Sequence, residues 1–248
     1  MIVAIHQPQY MPWAGYMNKI ANADTFVFLD TVQFKKNEWQ NRNRIKTATG
    51  WQWLSVPISY HYPERILDIR VNNLVRWGEK HWKTLVTNYS RSPHFQTYAG
   101  FFQDTFSRRW EFLADLNIHI IQYLIAVWGL KTRTINASQL RIEHGDPTGR
   151  LVAICRALDA KTYLAGRDGP KYMNPDQFDL QRVRIWYQEF STKAYPQMFE
   201  GFIPDLSCID LLFNLGPEAK KLIDVKFNAS EEEEEPAYEC IGNRRSSG

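Results

Sequence analysis

The chain contains no run of about 18 or more apolar residues, the length that a membrane-crossing helix needs, so no membrane span is expected. Its first residues, MIVAIHQPQ, lack a basic segment followed by a long apolar stretch, so no signal peptide is predicted. Three cysteines occur, Cys155, Cys208 and Cys240, and their spacing fits neither a disulfide framework nor a zinc site. These absences favour a cytoplasmic protein with reduced thiols.

The charge of the chain is unevenly distributed. The 248 residues carry a formal net charge of +3, but residues 231–248 contain six Glu and two Arg, which leaves +7 on the remainder. A mildly basic body suits an anionic small molecule such as a phosphate or a nucleotide, and it is too weak and scattered to indicate nucleic acid. Aromatic residues make up 14% of the chain, and flat rings in loops commonly stack on sugars, although core packing uses them as well.

Residues 2–30 predict a strand–helix–strand unit. The apolar runs at residues 2–5 and 26–29 are typical of buried parallel strands, and the loop between them is stiffened by Pro8 and Pro12 before a short helix at residues 14–23. Single polar residues at such places often only cap backbone groups. Ligands of open α/β sheets, however, bind beyond the carboxyl ends of the strands. The candidate residues there are His6 and Asp30 as catalytic groups, and Gln7, Tyr10, Trp13 and Gly15 as substrate-binding groups.

A basic segment follows the second predicted strand. Five cations occur among asparagines in residues 35–46, which predicts a polar loop. Because Arg presents a planar fork to phosphate and Lys a point charge, Lys36, Arg42 and Arg44 are candidate phosphate-binding residues. The alternative is a solvated basic loop. Residues 51–58 predict a third strand, near an edge because of Pro57, and residues 66–71 predict another short strand.

Residues 76–129 read as three helices that cover the sheet or form a lid. Their histidines, His81, His94 and His119, lack a second ligand at helical spacing, so no metal site is predicted. The predicted organisation is therefore an N-terminal half of an α/β domain at 1–75, a helical insertion at 76–129, a C-terminal half at 130–228 and a disordered acidic tail at 229–248.

A second candidate site follows the buried strand predicted at residues 160–164. The segment AGRDGPKY at residues 165–172 contains two glycines, which allow close approach of the backbone, and two cations. Gly166, Arg167 and Lys171 are therefore candidate substrate-binding residues, with a plain strand-to-helix connection as the alternative. The spacing fits neither a P-loop nor a dinucleotide fingerprint. The predicted fold class is α/β: a Rossmann-like open, mostly parallel sheet flanked by helices, with a central helical insertion.

Long strings of the sequence resemble a known family. HQPQYMPWAGYMNKI and ADTFVFLDTVQFKKNEWQNRNRIK closely resemble the opening of the WbqC-like family of bacterial proteins. YLAG at residues 163–166 and FIPDLSCIDLLFNLG at residues 202–216 match further motifs of that family, so the resemblance spans residues 2–222. Members occur with genes for O-antigen, capsule and other surface glycans, and the resemblance therefore implies a role in surface-polysaccharide assembly.

The leading hypothesis is a transferase that acts on a nucleotide-linked sugar or another activated anionic substrate. In it, His6 is a general acid/base or a phosphate contact, Asp30 orients a hydroxyl or a metal-bound water, and Trp13 and Tyr10 pack on a ring. The strand, His-containing loop and helix also look like those of nucleotidylyltransferases, but Tyr16 stands where their second histidine would fall.

Two alternatives stay open beside this hypothesis: a non-catalytic glycan- or partner-binding protein of the same pathway, and a nucleotidylyltransferase-like enzyme. The predicted partner is an anionic small molecule, a nucleotide or nucleotide-sugar, with no membrane span. Nucleic acid ranks last because no aromatic platform is visible around the basic segment. The cofactor stays open, and Mg²⁺ accompanying a nucleotide is the candidate.

Overall fold

A computed structural model describes residues 1–142 and 145–226. In chain order the strands are β1 (Ile2–His6), β2 (Thr25–Phe28), β3 (Arg42–Thr47), β4 (Gly50–Ser55), β5 (Ile58–Ser59), β6 (Arg70–Val71), β7 (Arg133–Asn136), β8 (Thr162–Ala165) and β9 (Arg184–Tyr187). The α-helices are α1 (Ala14–Ala21), α2 (Trp77–Tyr89), α3 (Phe95–Ser107), α4 (Leu113–Val127), α5 (Pro147–Ala157), α6 (Asp176–Asp179), α7 (Cys208–Leu215) and α8 (Lys220–Ile223).

Five parallel strands form the central sheet in the order β7-β2-β1-β8-β9. Helices flank this sheet, so the predicted open, parallel, Rossmann-like α/β fold is confirmed. Helices α2, α3 and α4 follow one another between β6 and β7, which is where the helical insertion was predicted. The division of the chain into domains stays a prediction.

The two faces of the sheet belong to different hydrophobic cores. Successive side chains of a strand point to opposite faces. Ala4 and Leu164 join a core that contains residues of α1, α4 and α7, whereas Val3 and Tyr163 join a second core with residues of α5. Strand β1 is buried on both faces, and this explains its uninterrupted apolar sequence.

Helices α2 and α4 fix the loop that follows β1. Asn117 of α4 is fully buried, and its amide donates to the carbonyl oxygens of Pro8 at 3.1 Å and Gln40 at 2.7 Å. The buried hydroxyl of Tyr10 lies 2.8 Å from Nδ1 of His81 in α2. The loop is therefore held against the helical layer on both sides, in addition to its stiffening by proline.

The sequence analysis predicted a polar loop at residues 35–46, but only part of this basic segment is a loop. Residues 42–47 form β3, which pairs antiparallel with β4 in a sheet separate from the central one. Asn43 and Ile45 are buried while Arg42 and Arg44 are partly exposed, the alternation of a strand with one buried face. The loop prediction was wrong because polar residues occupy the buried face: Asn43 donates to the carbonyl oxygen of Met11 at 2.7 Å.

Two other strand predictions need adjustment. Strand β4 ends at Ser55, and the chain continues past Pro57 into β5, so the strand predicted at residues 51–58 is divided and lies outside the central sheet. Residues 66–71 are not one strand: Ile66–Asp68 is a 3-10 turn, and only β6 pairs, with β5. Short runs of this kind depend on a partner strand that the local sequence does not specify.

Some sequence predictions concern thiols, membrane spans and the tail. Cys155 in α5 and Cys208 in α7 are buried free thiols. Cys240 and the acidic tail lie outside the described residues. In the part of the chain that is described, no helix is long and apolar enough to cross a membrane.

Candidate functional site

The strand order of the central sheet reverses direction at β1, which makes this strand a topological switch point. Strands β2 and β7 follow it on one side, and β8 and β9 lie on the other. In open α/β sheets a crevice forms at such a switch point, beyond the carboxyl ends of the two strands. His6 ends β1 and Gly166 follows β8, so the two stretches singled out from the sequence both reach this crevice.

A cavity of about 820 Å³, called the cleft below, occupies the crevice. Its size falls within the range of small-molecule sites. Half of the predicted site residues line it: His6, Gln7, Trp13, Arg44, Gly166 and Arg167.

The protonation state of His6 follows from its surroundings. Nδ1 lies 3.1 Å from the carbonyl oxygen of Gln7, and because a carbonyl can only accept, Nδ1 carries the proton. Burial, and then the nearby ammonium of Lys19, lowers the pKa of His6 to about 3. The ring is therefore neutral at pH 7, and Nε2 is a hydrogen-bond acceptor. A neutral ring with Nε2 as an acceptor can accept a hydrogen bond from a substrate hydroxyl, which corresponds to the base part of the general acid/base role predicted for His6.

Tyr16 closes the same wall of the cleft. Its hydroxyl donates to the carbonyl oxygen of Gln7 at 3.1 Å, and its ring meets that of His6 edge-on, with 4.9 Å between centroids. Burial raises the pKa of Tyr16, so the hydroxyl stays protonated. At the position where a nucleotidylyltransferase would carry its second histidine, this chain therefore holds a neutral donor engaged with the backbone.

Gly15 shapes the cleft without lining it. Trp13 lines the cleft and contacts Phe190 edge-on, with 5.8 Å between ring centroids. A Cβ on Gly15 would overlap the outer atoms of the Trp13 indole. The close approach that the sequence suggested for Gly15 is thus to a neighbouring side chain, and it lets the indole lie over the start of α1.

Three glutamines present amide groups to the cleft. Nε2 of Gln40 donates to Oε1 of Gln7 at 2.6 Å. Oε1 of Gln9 and Oε1 of Gln40 are buried and accept no hydrogen bond within the described residues. A buried acceptor without a partner costs roughly 1–3 kcal/mol, so such atoms are rare unless a ligand or water completes them. Both oxygens are closed off from the cavity in this arrangement, so a ligand would reach them only after their side chains turn toward it.

The charges that line the cleft are mixed, with cations in excess. Asp168 pairs with Lys171 at 2.5 Å, and Asp205 accepts a hydrogen bond from Thr192 at 2.7 Å, so both carboxylates have local partners. Five cations and three carboxylates line the cleft, so the net charge of its lining is positive. The charged lining residues are Lys19, Lys35, Arg44, Arg150 and Arg167 against Glu38, Asp168 and Asp205.

The remaining predicted site residues lie outside the cleft lining. The carboxylate of Asp30 is 2% exposed and accepts hydrogen bonds from the backbone N–H of Ser138 at 2.9 Å and from its hydroxyl at 2.6 Å. Asp30 thus ties the end of β2 to the turn after β7, a role that the strand-end position alone did not reveal. The others outside the lining are Tyr10, Gly15, Lys36, Arg42 and Lys171.

Arginines and tryptophans alternate beside the cleft on the β3–β4 hairpin, a group called the Trp–Arg cluster. The guanidinium of Arg42 lies 4.3 Å from the ring centroid of Trp53, and that of Arg44 lies 5.2 Å from Trp51 and 5.7 Å from Trp39. These are cation–π distances. An aromatic platform therefore does surround the basic segment, and it arises because β4 brings Trp51 and Trp53 opposite β3.

Sequence reasoning missed Lys19. This residue of α1 is 2% exposed, lines the cleft, and donates from Nζ to the carbonyl oxygen of Ile5 at 3.0 Å. Burial lowers the pKa of Lys19 to about 7. The available signal was its position three residues after Tyr16, which puts both side chains on one face of the helix. Gln188 was also missed: its amide ties the end of β9 to α1 through the carbonyl oxygen of Gly15 at 2.7 Å.

In residues 1–142 and 145–226, no group of three or more His, Cys, Asp or Glu side chains could hold a metal ion.

Fold and site together define an open α/β protein with a polar, aromatic-lined cleft at the switch point of a parallel sheet. The WbqC-like protein family model matches residues 7–222, and the chain belongs to this family. A relative is the uncharacterized protein Rv1507c of Mycobacterium tuberculosis (strain ATCC 25618 / H37Rv), 34% identical over 221 residues, which are 88% of this chain and 95% of the relative. No solved structure matches the chain.

Proposed function

We propose that the protein is a transferase of bacterial surface-glycan assembly that acts on a nucleotide-linked sugar or another activated anionic substrate. The observation that carries this proposal is the cleft at the switch point, where His6, Arg44 and Arg167 come together from distant parts of the chain. In open α/β sheets this is the place where ligands bind.

The chemistry of the lining supports the substrate class. An excess of cations favours a phosphate-bearing ligand, and Arg44 offers the planar fork that suits phosphate oxygens. Trp13 and Tyr16 supply aromatic surface for a sugar or a base.

His6 supplies the group that contacts the reacting atoms. Its neutral ring presents Nε2 as an acceptor, so it can orient a nucleophilic hydroxyl and accept its proton as the new bond to the activated centre forms and the nucleotide leaves with the electrons of the broken bond. Asp30 has a structural role in this proposal: its hydrogen bonds with Ser138 fix the end of β2, the strand that pairs with β1.

A thermal-shift panel of nucleotides, nucleotide-sugars and coenzyme A thioesters, each with and without Mg²⁺, tests the proposal. A ligand at about a hundred times its Kd adds roughly 2.7 kcal/mol of stability, which is a readily measured shift. We expect a shift for one nucleotide class. If every compound leaves the unfolding temperature unchanged, the nucleotide-linked substrate is wrong.

Two arginines of one strand form a matched pair for this panel. Arg44 and Arg42 are both partly exposed on β3 and both lie over tryptophan rings, but Arg44 alone lines the cleft. Arg44→Ala should reduce the ligand-induced shift, whereas Arg42→Ala should leave it. Equal effects of the two substitutions would move the ligand away from the cleft and onto the hairpin.

A second candidate function is non-catalytic recognition of a glycan or of a partner. The observation that favours it is the Trp–Arg cluster, in which Trp51 is 45% exposed and Trp53 is 37% exposed. His6→Ala separates the two functions once a ligand is known. Loss of turnover with retained binding supports the transferase, whereas a protein that binds the ligand without turning it over, with or without the substitution, supports recognition alone.

A further inference from the structure

Lys19 occupies the inner wall of the cleft. Its Nζ reaches the carbonyl oxygen of Ile5, near the end of β1, and lies 5.9 Å from the ring centroid of Tyr163 in β8. The ammonium thus sits between the two strands that form the switch point. The side chain is 2% exposed and is one of the residues that line the cavity, so it lies at the buried side of the space that a ligand would fill.

The charge of Lys19 has no counter-ion among the described residues. The ammonium has three N–H donors, and the backbone carbonyl of Ile5 takes one of them. Burial without a compensating carboxylate lowers the pKa of Lys19 to about 7. Buried ammonium groups are normally paired, since an isolated charge is costly to desolvate. Two donors and part of a positive charge are therefore left for a ligand.

The groups facing Lys19 do not neutralise it. His6 from β1 is neutral, and Tyr16 from α1 and Tyr163 from β8 are phenols whose pKa values burial raises. Of the carboxylates that line the cleft, Asp168 pairs with Lys171, Asp205 accepts a hydrogen bond from Thr192, and Glu38 is exposed to solvent. The charged groups that border the same cavity are Lys35, Glu38, Arg44, Arg150, Arg167, Asp168 and Asp205.

We infer that Lys19 binds a phosphate oxyanion of the substrate at the inner wall of the cleft and takes up a proton as it does so. This inference deepens the proposed function and rests on it for the substrate class. A phosphate oxygen at hydrogen-bond distance from Nζ would supply the missing counter-charge and accept the two remaining N–H donors. The ammonium form is then favoured in the complex, so the amine goes from partly to fully protonated on binding.

Isothermal titration calorimetry with inorganic pyrophosphate as the probe measures this proton. Titrations at pH 6, 7 and 8, each in two buffers of different ionisation enthalpy, give the number of protons taken up. From a pKa of about 7, we expect about one tenth of a proton at pH 6, about half at pH 7, and more at pH 8. Lys19→Met, which keeps the length of the stem, should lower the measured uptake by these amounts and weaken binding at least about tenfold; the difference between the two proteins isolates the Lys19 proton, because pyrophosphate itself also exchanges protons in this pH range.

Lys35→Met is the matched control. Lys35 lines the same cleft but is exposed to solvent, so its removal lowers affinity without changing proton uptake. D-glucuronate in place of pyrophosphate separates phosphate from carboxylate recognition, and binding of glucuronate alone contradicts the inference. Unfolding of Lys19→Met by urea shows that the variant folds.

The outcomes separate this inference from the proposed function. A thermal shift with a nucleotide class, together with no proton uptake or with uptake that survives Lys19→Met, overturns the inference and leaves the proposed function in place. Pyrophosphate binding with Lys19-dependent uptake but no nucleotide shift supports the inference and contradicts the nucleotide-linked substrate. If neither a nucleotide-induced thermal shift nor Lys19-dependent proton uptake is observed, the inference and the proposed function are both wrong.

Discussion

Replacing Lys19 by Met should raise the stability of the free protein at neutral pH and remove a pH dependence from it. In the unfolded chain the amine has a pKa of 10.5, whereas burial lowers that pKa to about 7 in the folded protein. Each pKa unit corresponds to about 1.4 kcal/mol, so the folded state loses roughly 4–5 kcal/mol at pH 7 through this residue. The hydrogen bond from Lys19 to the carbonyl oxygen of Ile5 offsets about 1 kcal/mol of this loss in stability.

The sign of the pH dependence follows from proton counting. Between pH 7 and pH 10.5 the unfolded chain binds more protons at residue 19 than the folded protein, so the free energy of unfolding rises with pH. From pH 7 to pH 9 the rise due to Lys19 is roughly 2–3 kcal/mol. Lys19→Met lacks this contribution.

Urea unfolding of both proteins at pH 7, 8 and 9, followed by circular dichroism, measures the difference. We expect the variant to be more stable at pH 7 by roughly 2–4 kcal/mol, and the gap to narrow as the pH rises. A gap that stays constant with pH, or a variant that is less stable at pH 7, would refute the reasoning, because it would mean that the ammonium is satisfied in the folded protein.

Three further substitutions test contacts described above: the hydrogen bonds of Asp30, the contact of Gly15 with Trp13, and the burial of His81. Asp30→Asn should lower the free energy of unfolding by about 1–3 kcal/mol, because it weakens the hydrogen bonds with Ser138. Ligand affinity in the cleft, measured by thermal-shift titration, should not change. A loss of affinity would instead indicate that the Asp30 carboxylate contacts the substrate. Gly15→Ala should displace the indole of Trp13, shift the tryptophan emission and weaken cleft binding, at little cost in stability because alanine favours the helix by about 1 kcal/mol. Burial lowers the pKa of His81 to about 4, so stability should fall as the pH drops from 6.5 to 4, and His81→Gln should remove roughly 3 kcal/mol of that fall in urea titrations.

The sequence predicted the sheet, and the polar residues at its strand ends, better than it predicted the contacts of individual side chains. Uninterrupted apolar runs identified β1, β2 and β8, because strands buried on both faces need apolar residues throughout. The rule that ligands lie beyond the carboxyl ends of such strands then brought His6 and Arg167 to one cavity.

The side chains that sequence reasoning misplaced are polar residues whose partners are distant in the chain. Asp30 was predicted to be catalytic from its strand-end position, but its hydrogen bonds go to Ser138, more than a hundred residues away. Lys19 was passed over because lysine in a short helix is usually solvated. One of the groups near its ammonium is the ring of Tyr163, which comes from β8 and is brought there by the pairing of β8 with β1.

The pairing of β1 with β8 also bears on how the protein is made. The two walls of the cleft are about 160 residues apart in the chain, and at 5–20 residues per second a ribosome takes roughly 8–30 s to travel between them. During that time β1 can pair with β2 but has an open edge on its other side, with its backbone N–H and C=O groups unpaired. Lower growth temperatures or chaperone co-expression should therefore raise the yield of correctly folded protein. Fragments that end before Thr162 lack β8 and should aggregate.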